Sequence, residues 1–138
     1  MKSYLLSFLL ILPVLSWGAP VIDITQIAGK TKEEVAAVLG APDSVSAAKG
    51  GEKAHYAKGD TEIVFVRGKA DWITVSALSA VPFTPKAIAA LGLKETPPSF
   101  ANSHVLRWKT LPGLLEVAIF PGKTNCDYAY IEVLTRPQ

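Results

Sequence analysis

The sequence predicts an α+β fold: two tandem helix-plus-antiparallel-strand repeats forming one sheet, with short helices packed on one face. Three echoes along the chain predict it. Thr31–Gly40 is matched by Thr84–Gly92, Glu62–Lys69 by Glu116–Lys123, and Trp72–Val75 by Tyr130–Val133. The offsets are 53, 54 and 58 residues, in unbroken order. A period of roughly 50 residues is the length of a supersecondary unit. The repeats are expected over about residues 21–78 and 81–135, within one domain spanning residues 19–138.

Each repeat opens on a helix signal. Thr31 and Glu34 have capping-box spacing, and Val35, Val38 and Leu39 then lie on one helical stripe. Gly40 supplies the stop and Pro42 prevents resumption. In the second repeat Thr84 is the expected N-cap and Pro85 the first helical residue, where no amide hydrogen is needed. Ile88 and Leu91 form its stripe and Gly92 ends it. Helices this short need a sheet to lean on.

Strands follow. Residues 44–48 and 53–58 read as a hairpin around Lys49–Glu52. Residues 61–67 and 70–77 read as a second, around the two-residue loop Gly68-Lys69. Residues 105–110 and 114–120 flank Leu111-Pro112-Gly113, and residues 127–135 make the last strand. Thr96–Ser99 contains two prolines and is expected to be an extended loop. The linker Ser79–Pro82 is too short and too apolar for a flexible tether, which favours one fused sheet.

The N-terminus addresses the chain out of the cytoplasm. Lys2 is followed by an apolar run from Leu5 to Leu15, and Ser16 and Gly18 are small residues placed for cleavage before Ala19. Residues 1–18 read as a signal peptide, which puts the product in the periplasm or medium. The apolar run falls short of the ~20 residues of a spanning helix. A net charge of +2 gives no electrostatic case for nucleic acid. The single cysteine, Cys126, excludes an internal disulfide, so stability must come from the core; Cys126 is a tolerated thiol or a bridge point between copies.

The chemistry-bearing inventory is thin. His55 and His104 fall at unmatched places in the two repeats, and no His, Cys or carboxylate cluster has metal-ligand spacing. Phosphate-loop, dinucleotide and nucleophile-elbow motifs are missing. Neither an enzyme nor a cofactor is expected. Strand alternation offers a binding surface instead. On the strand from Asp71, residues Ile73, Val75 and Ala77 face one way and Trp72, Thr74 and Ser76 the other. On the last strand Ala129, Ile131 and Val133 oppose Tyr128, Tyr130 and Glu132. The aliphatic set belongs under the helices. The aromatic and polar set, Trp72, Tyr128 and Tyr130 with Tyr56 and Trp108 as further members, has the composition of a protein-binding face. The competing reading is that these rings fill a second small core or stiffen a solvated sheet. The loops Ala47–Lys53 and Lys94–Ser103 are the expected probes into a partner.

The stretch Ile27–Pro42 resembles the signature of the SmpA/OmlA group of small outer-membrane-assembly proteins. Gly29, Thr31, Val35, Leu39, Gly40 and Pro42 carry the resemblance, and Tyr56 stands where that group has its aromatic strand. The group shares its fold with β-lactamase-inhibitor proteins, tandem duplications that grip an enzyme with the open face of a sheet. The resemblance implies a non-catalytic protein-binding domain, an inhibitor of an extracytoplasmic enzyme or a cell-envelope assembly factor. It covers about 50 residues of the first repeat. The chain departs from the assembly group in having Ala19 where a lipid-acceptor cysteine would stand, and in having two units.

Overall fold

A computed structural model describes residues 19–133. The expected signal peptide and the last strand beyond Val133 lie outside the described residues. Eight strands follow one another as β1 Ser44–Ala48, β2 Gly51–Tyr56, β3 Thr61–Val66, β4 Lys69–Val75, β5 Phe100–Ala101, β6 Leu106–Leu111, β7 Leu114–Pro121 and β8 Cys126–Val133. They form one open antiparallel sheet in the order β1-β2-β3-β4-β8-β7-β6-β5. Among the described residues there is one α-helix, α1 (Lys32–Leu39), with three 3₁₀ segments at Ile24–Gln26, Lys58–Asp60 and Pro85–Leu91.

This is a mostly-β fold, which corrects the α+β expectation of tandem helix-and-strand units. The second expected helix is the main cause. At Thr31 the hydroxyl accepts the Glu34 amide at 3.2 Å and donates to the Glu34 carboxylate at 3.2 Å. The i→i+4 bond from Val35 N to Thr31 O then starts a true α-helix. Thr84 makes no side-chain cap. Its carbonyl accepts from Ala87, and Gly92 donates to Ala89, so the segment opens and closes on i→i+3 bonds. A seven-residue stretch begun by proline and lacking a cap stays in the tighter form.

The sheet consists of two four-stranded meanders that meet where β4 pairs with β8. At this junction Ile73 faces Ile131, with Trp72 opposite Glu132 and Thr74 opposite Tyr130. Ile73 and Ile131 are the residues equated by the 58-residue offset, so the register is that of an approximate two-fold axis between them. The β3–β4 turn is Arg67-Gly68, with φ of 53° and 76°. Two left-handed residues make a type I′ loop, one position earlier than the glycine-first loop expected. Each half also carries a bulge beside the junction. Asp71 is the extra residue between the pairs Phe65/Ala70 and Val64/Trp72. Leu115 is extra between Leu114/Val133 and Glu116/Glu132. Bulges add twist and bend the strand that carries them.

Among the described residues one face of the sheet is covered and one is open. Ile22, Ile24 and Ile27 from the N-terminal segment, Val35 and Leu39 from α1, and Ala87, Ile88 and Leu91 from the 3₁₀ segment lie over Ile63, Phe65, Ile73, Val75, Val117, Ile119, Ala129 and Ile131. Backbone bonds fasten the covering layer: Gly29 N to Ala70 O and Ala70 N to Lys30 O, both 2.8 Å. The linker docks the same way on the second half, with Cys126 N donating to Val81 O at 2.8 Å. Asn125 Nδ2 adds a 2.8 Å bond to Ser79 O.

Cys126 is inside this joint, 3% exposed, and burial pushes its thiol pKa up. A buried, protonated thiol is a poor nucleophile. Native protein is expected to react with an aromatic disulfide reagent at least about 100-fold more slowly than urea-unfolded protein. Equal rates in both states would place Cys126 at the surface.

Candidate protein-binding face

The open face is built by the alternate residues of each strand. Trp72 projects from β4 at 47% exposure and Tyr128 from β8 at 36%, with the half-buried Tyr130 two residues along. Trp72 and Tyr130 are diagonal neighbours across the junction. Their ring centroids are 5.8 Å apart with planes at 87°, an edge-to-face pair. The two rings therefore hold each other upright on a rigid strand pair. Burial, then the Glu132, Asp71 and Glu116 carboxylates, raises the Tyr130 phenol pKa. The hydroxyl thus stays a hydrogen-bond donor.

Three of the five residues singled out in the sequence are brought together here, and two are not. Tyr56 and Trp108 are each 1% exposed and belong to the core. Tyr56 shares its phase with Ala54, which pairs with Ile63, and Trp108 pairs with Val117. The Trp108 indole nitrogen donates to Thr96 O at 2.7 Å, pinning the proline-rich loop over the sheet edge. Neither residue can present its ring to a partner on the open face.

Two further aromatics take their place. Phe120 on β7 lies opposite Tyr128 and stacks on it, with centroids 4.8 Å apart and planes at 21°. Phe100 on the short strand β5 is 52% exposed and pairs with Arg107. The alternation Glu116-Ala118-Phe120 is the sequence signal by which Phe120 could be found. Nothing in the sequence marks β5, which is only two residues long and follows two prolines.

Charges frame the rings. Glu116 and Glu132 are direct cross-strand partners, an arrangement that repels. Arg107 Nε lies 2.6 Å from Glu116 Oε1 and offsets that repulsion, although the pair does not have the geometry of a hydrogen bond. Lys53 and Glu62 make a looser pair at 3.9 Å on the other half.

At the outer end of β2, His55 is held between two carboxylates. Its Nδ1 is 2.7 Å from Asp43 Oδ1 and its Nε2 is 2.6 Å from Asp60 Oδ1. Hydrogen bonds to Asp60 and Asp43 raise the His55 pKa above its ordinary 6.5. The arrangement ties the α1–β1 connection to the β2–β3 turn. With both ring nitrogens engaged, it leaves no free nitrogen to activate a nucleophile or ligate a metal. Because the folded pKa is the raised one, the stabilisation is complete below pH 6.5 and is lost as pH rises through the folded value. His55→Gln should therefore lower the melting temperature at about pH 6 and lower it less at about pH 9. A difference from wild type that is constant across this range would show that the imidazolium adds nothing.

Among the described residues no group of three or more His, Cys, Asp or Glu is placed to hold a metal ion. A shallow groove of about 380 Å³ runs between Pro85, Lys86 and the loop Glu95–Pro98, and its walls bring few polar groups together. Among the described residues no helix is long and apolar enough to cross a membrane. Compared with known proteins, the chain matches no family model, no characterised protein and no solved structure.

Proposed function

We propose that this chain is a non-catalytic, extracytoplasmic protein-binding domain that uses the open face of its sheet to hold and inhibit an enzyme. One observation carries the reading: Trp72, Tyr130, Tyr128 and Phe120 form two locked ring pairs on the uncovered side of a rigid sheet. Large aromatics with little rotamer freedom are what binding hot spots are made of, and the surrounding Arg107, Glu116, Lys53 and Glu62 supply a polar rim. A role in assembling the cell envelope is the second reading, favoured by the resemblance of Ile27–Pro42 to the outer-membrane-assembly group.

The test is capture from the extracytoplasmic protein fraction of the host on immobilised wild type and on a Trp72→Ala/Tyr130→Ala double variant. A soluble enzyme retained by the wild type alone, and slowed on adding the wild type in solution, supports inhibition. Outer-membrane proteins retained by the wild type alone support the envelope role. Retention that is equal on both baits overturns the assignment of the face.

A further inference from the structure

A sheet edge is a row of unpaired amide and carbonyl groups. Proteins usually guard it with lysine, proline, a bulge or brevity. The two edges of this sheet differ sharply in that respect. β5 is two residues long and follows Pro97 and Pro98. β1 has five residues, Ser44-Val45-Ser46-Ala47-Ala48, with no charge and no proline. It pairs with β2 in unbroken register, so no bulge turns it away. Ser44 to Ala47 are exposed, and Val45 is 49% exposed. Nothing in the strand opposes the addition of a ninth strand.

Its flanks indicate what that strand would be. Asp43 precedes β1 and Lys49 follows it, and both are exposed. An antiparallel copy of β1 centred on Ser46 would set Ser46 against Ser46, Val45 against Ala47 and Ser44 against Ala48. The same register would set Asp43 of each copy against Lys49 of the other. Lys49 has no ion-pair partner among the described residues. Asp43 engages His55 through Oδ1 alone, leaving Oδ2 available. The ladder would stop cleanly at both ends. Pro42 has no amide hydrogen to continue it, and Gly50, with φ of 82°, turns the chain away.

We infer that the β1 edge is a self-complementary docking strand for a second copy of this chain, paired antiparallel about Ser46 with two reciprocal Asp43–Lys49 contacts. The product is a two-fold dimer with one continuous sixteen-stranded sheet, of the isologous kind that closes on itself. The axis is perpendicular to the sheet, so both open faces lie on the same side. A five-residue strand buries little surface, so the dimer is weak, with a dissociation constant on the order of micromolar or above. This inference is independent of what the open face binds.

The inference is tested by sedimentation of protein recovered after expression of the full chain, over a range of concentration. Wild type should pass from monomer to dimer, and amide exchange in Ser44–Ala48 should slow as it does. Lys49→Glu and Asp43→Lys should each dimerise at least about 10-fold more weakly than wild type. An equimolar mixture of those two variants restores both contacts and should recover dimerisation as a heterodimer. Ser46→Lys places two lysines face to face on the axis and should be monomeric, with an unchanged circular dichroism spectrum. Wild type that stays monomeric up to about 1 mM overturns the inference. A dimer that survives Ser46→Lys, or a variant mixture that fails to associate, overturns it as well.

Discussion

Replacing Trp108 with alanine is expected to destabilise the protein by about 3–5 kcal/mol, read as a fall of roughly 10–20 °C in melting temperature. Trp108 is one of the largest fully buried side chains among the described residues. Its removal leaves a cavity in the layer formed with Val117, and it leaves Thr96 O without the indole donor. An unpaired carbonyl there adds to the cost. The proline-rich loop loses its pin, so increased proteolysis between residues 94 and 99 should accompany the loss. A stability change below about 1 kcal/mol would return Trp108 to the surface, because a ring with no core role costs little to remove.

The contrasting result is expected at Trp72 and Tyr130. Each alanine substitution should weaken partner binding by about 2 kcal/mol or more, roughly 30-fold, in a titration of the captured partner. Thermal stability should fall by no more than about 1.5 kcal/mol, the worth of one edge-to-face ring pair. The loss of stability at Trp108 and the loss of binding at Trp72 thus separate two roles that aromatic residues on strands can play. If Trp72→Ala were to match Trp108→Ala in melting temperature and leave binding intact, the open face would be a structural surface only.

The two outcomes also mark how far the sequence could be read. Hydrophobic alternation placed Trp72, Tyr128 and Tyr130 outward because β4 and β8 carry branched or small apolar residues at every second position. Ile73 and Val75, or Ala129, Ile131 and Val133, set that phase. β2 offers only Ala54 as an aliphatic landmark among Glu52, Lys53 and His55, so the side taken by Tyr56 was open. In β6 the alternation of Leu106 and Trp108 against Arg107 and Lys109 did carry the answer. Tryptophan suits an interface as well as a core, so residue type alone does not choose between them. The bulges were hidden because Asp71 and Leu115 are set by register between strands, which no local pattern encodes. The second helix failed for a local reason: a proline start with an apolar stripe gives a direction and a buried face, but without a cap or length it does not choose between 3₁₀ and α.

The near-two-fold relation between the halves has a consequence for recognition. Rotation about the axis between Ile73 and Ile131 exchanges Trp72 with Tyr130, so a ligand meeting only these two rings could bind either way round with similar energy. The flanking positions remove that degeneracy. Where the second half stacks Phe120 on Tyr128, the first half sets Val66 opposite Lys69. One shoulder of the face is therefore a flat aromatic platform and the other a cation beside a small apolar side chain. A partner with an apolar ridge at one end and a carboxylate at the other would be polarised by this difference. It would dock in a single sense even though the central strand pair β4–β8 is nearly two-fold symmetric.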